Sequence, residues 1–113
     1  IMDLALKAFL DNDLKAAETV EPLEEVIDGL KEQMRTRHIL RLQQRECSID
    51  AGFVWSDLLT NLERCADHCS NIAGCILETA DMNIHESMRD TKRYNQNFKD
   101  EFERYAVKYA LSK

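Results

Sequence analysis

The sequence predicts an all-α protein, an antiparallel three-helix bundle with one additional C-terminal helix. Three observations predict it. One proline and three glycines in 113 residues leave few turns. Two long segments carry apolar residues at alternating steps of four and three, the rhythm of a helix that buries one face. The third is a cluster of aromatic residues at helical spacing near the C-terminus.

Residues 2–10 repeat apolar side chains at helical intervals, with Leu4 and Ala8 flanked by Leu6 and Phe9. The chain opens at Ile1 in mid-pattern, and the expectation is a cut from something longer. Asp11-Asn12-Asp13 reads as a turn, with Asp13 as N-cap of the next helix. From there Ala16, Val20, Leu23, Ile27, Leu30 and Met34 form a stripe that crosses Pro22 without losing phase. Pro22 therefore marks a kink or a local restart within a helix of about 14–44. Residues 45–50 read as a connection. A second long helix, about 51–80, carries Leu58, Leu62, Cys65, Cys69, Ile72 and Ile76 as its expected core stripe, and breaks at Asp81-Met82-Asn83. A last helix, about 87–111, places Tyr94, Phe98, Phe102, Tyr105 and Tyr109 near one face as a packing seam.

Composition excludes several functions. The net charge of −6 disfavours binding nucleic acid or an anionic membrane through bulk charge. No window approaches the 18 apolar residues of a membrane span, and no stretch reads as a signal peptide. Cys65, Cys69 and Cys75 cluster with helical spacing, so all four cysteines, Cys47 included, read as reduced thiols of a cytosolic protein. No phosphate loop, nucleophile elbow or Ser/His/Asp set is present, and nothing in the sequence argues for an enzyme.

The helix of about 51–80 has an unusual second face. Opposite the expected stripe lie Ser56, Thr60, Glu63, Asp67, Ser70, Asn71 and Gly74, with no lysine or arginine. A solvated helix face ordinarily carries long charged residues. Short oxygen-bearing side chains suit close approach of another helix or a hydrated ion. Glu63 and Asp67 stand one turn apart and could share a hard cation. The same ExxxD spacing recurs at Glu24 and Asp28, and carboxylates from facing helices are one way to build a metal site in a bundle. The plainer alternative is solubility plus pairing with nearby Lys31 and Arg35. Counted from residue 47, Asp28 lies 19 residues back and Glu63 lies 16 ahead. The axial mismatch is about 4–5 Å, and Glu24 and Asp67 share it. Glu24 and Asp28 flank their stripe whereas Glu63 and Asp67 lie opposite theirs. A shared site therefore needs the two helices rolled toward one another.

Cys65, His68 and Cys69 fit on one helix, but a structural zinc site wants four ligands and no second Cys/His pair is suitably spaced. Both cysteines are read instead as small buried hydrophobes. His38 continues the Met34 stripe and is read as a half-buried packing residue, and His85 is read as a turn residue. A carboxylate-bridged dimetal oxidase would want Glu-x-x-His pairs, which neither ExxxD segment supplies.

The segment Asp57-Leu58-Leu59-Thr60-Asn61-Leu62-Glu63-Arg64-Cys65-Ala66-Asp67-His68-Cys69-Ser70-Asn71-Ile72-Ala73 resembles the signature helix of PhoU-like domains. It looks most like the version at the cytoplasmic C-terminus of bacterial sodium/phosphate (Na/Pi) cotransporter family proteins. Val20–Leu30 is similar to the partner helix carrying that family's other ExxxD. The closing stretch, His85-Glu86-Ser87 with Phe98, Phe102, Tyr105 and Lys108-Tyr109-Ala110-Leu111, resembles the tail of that subgroup.

The resemblance implies a non-catalytic regulatory domain with a divalent or trivalent metal ion (Fe, Zn, Mn or Mg) at the bundle surface. Its ligands would be Glu24, Asp28, Glu63 and Asp67, with Asn71 from the same signature. It implies as partner a phosphate transporter membrane domain or an associated transport or signalling protein. The location would be cytoplasmic, tethered at the inner face of the plasma membrane. The family's usual two repeats make this chain a second repeat (1–81) followed by a tail helix (82–113). The last helix would then fill the vacant groove, or the domain would form a homo-oligomer. The competing expectation is a purely structural helical interaction domain without metal.

Overall fold

In a computed structural model, which describes residues 1–83 and 91–112, the chain forms four helices and is 58 Å long. They are α1 (Met2–Asp11), α2 (Leu14–Gln43), α3 (Ile49–Asn83) and α4 (Thr91–Lys108). His85, the expected start of the last helix near residue 87, and the Tyr94 side chain lie outside the described residues.

The turns follow the local chemistry. Asn12 takes the left-handed conformation that ends α1, with φ of 50°. Asparagine tolerates that region better than most residues. Asp13 caps α2 as expected, its Oδ1 accepting the Ala16 N–H at 3.1 Å. Pro22 sits inside α2, fully buried, and the helix continues through it. Between α2 and α3, Arg45 adopts a positive φ, and the Ser48 hydroxyl accepts the Ala51 N–H at 3.1 Å to start α3. α3 begins two residues earlier than expected and runs through Asp81 and Met82 to Asn83. None of those residues removes a backbone donor, so the helix does not stop there.

α2 is the central element and packs against each of the other three helices. Its buried residues therefore exceed one stripe: Ala16, Val20 and Leu23 are joined by Ala17, Pro22 and Val26. α1 and α3 meet α2 through small side chains. Ala5, Ala8, Ala16, Ala17, Val20, Cys69 and Ala73 form this core. α4 lies against α2 and makes no packing contact with α3 among the described residues. Tyr105 anchors it on Leu23 and Val26, and the Arg37 guanidinium donates to the Ser112 carbonyl at 2.7 Å. Of the expected aromatic seam, Tyr105 is buried and stacks on Tyr109, Phe98 is half-buried, and Phe102 and Tyr109 are exposed.

The core face of α3 differs from expectation. Leu58, Leu62, Cys65 and Ile72 are exposed, Leu62 by 54%, and only Cys69 of that stripe is buried, with Ile76 half-buried. The buried row is Gly52, Leu59, Ala66 and Ala73, each seven residues apart. Small residues let helix axes approach closely, and dense packing across a short distance wins over the larger side chains. Gly52 shows how close the approach is: a Cβ there would stand 2.9 Å from Nε2 of the buried His38. His38 is thus a buried packing residue, where a half-buried one was expected, because Gly52 lets α3 close over it. The uncovered apolar row of α3 continues onto α1, where Met2, Leu6 and Phe9 border Cys69 and Ile72 along a shallow groove.

Candidate functional site

The change of buried face on α3 positions the carboxylates. Once Leu59, Ala66 and Ala73 point at α2, Glu63 and Asp67 no longer lie opposite the core. They flank it, about 80° nearer α2 than the Leu58–Ile72 row would put them. Antiparallel α2 and α3 then bring Asp28 and Glu63 within reach of one lysine, and Asp67 within electrostatic reach of Glu24.

The Asp28–Glu63 couple is joined by a lysine. Lys31 Nζ lies 2.8 Å from Glu63 Oε1, 3.5 Å from Asp28 Oδ1 and 3.5 Å from Glu32 Oε1. Its side chain is only 13% exposed. The hydrogen bond to Glu63 holds the Lys31 ammonium above its ordinary range against the opposing effect of desolvation, and the charges of Glu63 and Asp28 add to it. The sequence anticipated Lys31 as a partner along its own helix. The i,i+3 pair with Asp28 fits that reading, but the shorter contact crosses to α3. Arg35 pairs with Glu32 at 3.5 Å instead.

The Glu24–Asp67 couple has no cation of its own among the described residues. Burial pushes the Glu24 carboxyl above its ordinary range, and the charges of Asp28, Glu25, Asp67 and Glu21 push it further. Asp67, on the neighbouring helix, is thus within electrostatic reach of Glu24. Asn71 is exposed one turn further along α3, and no hydrogen bond joins it to the cluster among the described residues.

Among the described residues no three His, Cys, Asp or Glu side chains converge as a ready metal cage. The four carboxylates instead form two couples on one flank. Two carboxylates from two helices, completed by water, are a donor set that fits a hard cation such as Mg²⁺ or Mn²⁺. The cysteines offer no rival site: all four are free, Cys65 is exposed, and burial raises the Cys69 thiol above its ordinary range.

The crowding at Glu24 has a signed consequence. Its folded-state pKa lies above the ordinary 4.5, so the folded protein holds the proton more tightly than the unfolded chain. Ionised Glu24 then costs stability above its folded pKa, and nothing below 4.5. In metal-free buffer, Glu24→Gln is expected to raise the melting temperature at pH 7. The advantage should vanish as the pH falls below 4.5. Identical differences at both pH values would show that the carboxylates do not repel.

The uncovered Leu58–Ile72 row and the lysine bridge were not foreseen. The bridge had a signal, since Lys31 stands seven residues after Glu24 and three after Asp28, on the flank both occupy. No curated protein and no solved structure matches the chain. The family model described as PhoU domain matches residues 1–76. That span holds α1, α2, most of α3 and all four carboxylates, and on it the chain belongs to the PhoU domain family.

Proposed function

We propose that this chain is a non-catalytic regulatory module of a phosphate-transport system, acting as a cation-responsive PhoU domain. Membership in the PhoU domain family associates it with the regulation of phosphate transport. The finer reading takes the chain as a relative of the C-terminal cytoplasmic domain of sodium/phosphate cotransporters. Its partner would be the transporter's membrane domain or an associated signalling protein, with the module at the cytoplasmic face of the membrane. No helix among the described residues is long and apolar enough to cross a membrane.

The observation that supports this reading most is that one residue of each ExxxD pair, Asp28 and Glu63, lies within reach of the same Lys31 ammonium between α2 and α3. Glu24, Asp28, Glu63 and Asp67 supply hard oxygen donors there, and Asn71 extends the row. A cation bound between the helices would link their relative position to ion occupancy. The uncovered apolar row from Leu58 to Ile72 supplies a surface for the partner or for a second copy of the chain.

A second reading, a helical interaction domain without metal, is favoured by one observation: Lys31 already neutralises half of the acidic flank. Melting curves separate the two. Chelator-stripped protein would be heated with Fe³⁺, Zn²⁺, Mn²⁺ or Mg²⁺, for the parent and for Asp67→Ala. An ion at a hundred times its Kd adds about 2.7 kcal/mol, on the order of 10 °C for a domain of this size. The parent should gain this and Asp67→Ala should not. No shift with any ion, or equal shifts in both proteins, would favour the metal-free reading.

A further inference from the structure

The end of the 58 Å long molecule formed by the α2–α3 connection has a surface unlike the rest. Residues 33–45 hold four arginines, Arg35, Arg37, Arg41 and Arg45, and no Asp or Glu. Four arginines against Glu46 and Asp50 leave residues 33–54 at +2, and the remainder of the −6 chain at −8. Large apolar side chains stand exposed among these charges. They are Ile39 and Leu40 on α2, and Ile49, Phe53 and Val54 on α3, the last three each exposed by 68–71%. We infer that this tip is a membrane-docking surface, which enters the headgroup region of an anionic lipid bilayer end-on, with its arginines at the lipid phosphates and its apolar side chains below them. The inference goes beyond the regulatory reading above and does not depend on a bound cation.

Depth, direction and charge favour a lipid surface over a folded partner. Ile39 lies about 6 Å back from the end of α2 at Gln43, and Val54 about 8 Å in from the start of α3 at Ile49. Interfacial segments bury their apolar side chains about 5–10 Å into the headgroup and acyl boundary, so one shallow insertion takes in all five. Ile39 and Leu40 are successive residues of one helix and project about 100° apart, as do Phe53 and Val54. A flat protein face covers one azimuth of each helix, whereas a fluid surface entered end-on surrounds every azimuth. The arginines complement the negative surface of an anionic leaflet, and the −8 remainder is repelled by it, which orients the molecule with this end down. Arg35 pairs with Glu32, Arg37 donates to the Ser112 carbonyl, and Arg45 is exposed in the connection. The Arg41 guanidinium stands 5.9 Å from the centre of the half-buried Trp55 ring. An indole beside a cation at this depth suits the boundary between water and lipid.

Trp55 is the only tryptophan of the chain, so its emission reports contact at this end. The test titrates the full chain with vesicles of phosphatidylcholine alone and of equal parts phosphatidylcholine and phosphatidylglycerol, at low and high salt, with flotation as a second readout. On the anionic vesicles the emission should move to shorter wavelength and the protein should float with the lipid. Neutral vesicles should bind at least about tenfold more weakly, and salt should weaken binding to the anionic ones. Phe53→Ser should weaken partitioning by roughly tenfold. Arg45→Asn should weaken it by roughly fivefold, and asparagine tolerates the positive φ at that position. Phe9→Ser is the matched control: Phe9 is 67% exposed against 68% for Phe53 but stands at the opposite end of the bundle, and this variant should bind like the parent. All three positions are exposed, so the variants should keep the parent's circular dichroism spectrum. No partitioning onto anionic vesicles, equal partitioning onto both kinds, or equal losses from Phe9→Ser and Phe53→Ser would overturn the inference. So would a dimer in sedimentation velocity that Phe53→Ser dissolves and vesicles do not compete away, which would assign the tip to a second copy of the chain. Each of these outcomes leaves the cation reading to the melting curves described above.

Discussion

Tyr105→Ala is expected to detach α4 from the bundle and to lower the melting temperature more than any other single change to that helix. Tyr105 is 5% exposed and packs on Leu23 and Val26, with Ile27 and Leu30 close by. Removing a buried aromatic side chain costs about 3–5 kcal/mol. That is on the order of 15–25 °C for a domain of about a hundred residues. α4 packs on α2, and among the described residues no contact with α3 would hold it in place. The Arg37–Ser112 hydrogen bond lies at its exposed end and would not hold the helix alone. Amide hydrogen exchange should show residues 96–108 losing protection first, with α1, α2 and α3 retaining theirs. This also tests the division into a bundle of residues 1–81 and a tail of 82–113. Simultaneous loss of protection in all four helices would mean that α4 is part of one cooperative unit.

Ala17→Leu is expected to lower the melting temperature by roughly 10 °C, at a cost of about 1–3 kcal/mol. Ala17 is fully buried in the cluster where α1, α2 and α3 converge, with Ala5, Ala8, Val20, Cys69 and Ala73 around it. Three added carbons have no void to enter, so the helix axes must separate. The change is conservative by hydropathy and nearly neutral by helix propensity, which makes its direction informative. A neutral or stabilising result would show that the alanine row is loosely packed, and the explanation given for the buried face of α3 would fail with it.

The alanine row marks the boundary between what could be read in the sequence and what could not. The all-α class and the helix order follow from periodicity and from the scarcity of glycine and proline, because both act over a few neighbouring residues. The Asp13 cap and the turn at Asn12 follow from side chains that bond their own backbone. The neighbourhood of Asp28 and Glu63, which share Lys31, was equally legible, since one short connection and a constant rise per residue fix the approximate heights of two antiparallel helices.

Azimuth was not legible. Leu58, Leu62, Cys65 and Ile72 form a better apolar stripe than Gly52, Leu59, Ala66 and Ala73, and hydropathy alone selects the wrong one. The choice depends on which surface α1 and α2 present, and they present alanines, against which small residues pack closest. That tertiary decision turned Glu63 and Asp67 toward α2, left a bulky apolar row outside, and brought Glu63 to Lys31. By itself the sequence determined the helices and their order, because these depend on local bonding and chain length. Only the tertiary structure decided which face of α3 is buried, and with it that Glu63 reaches Lys31, because that depends on the shape of the neighbouring helices.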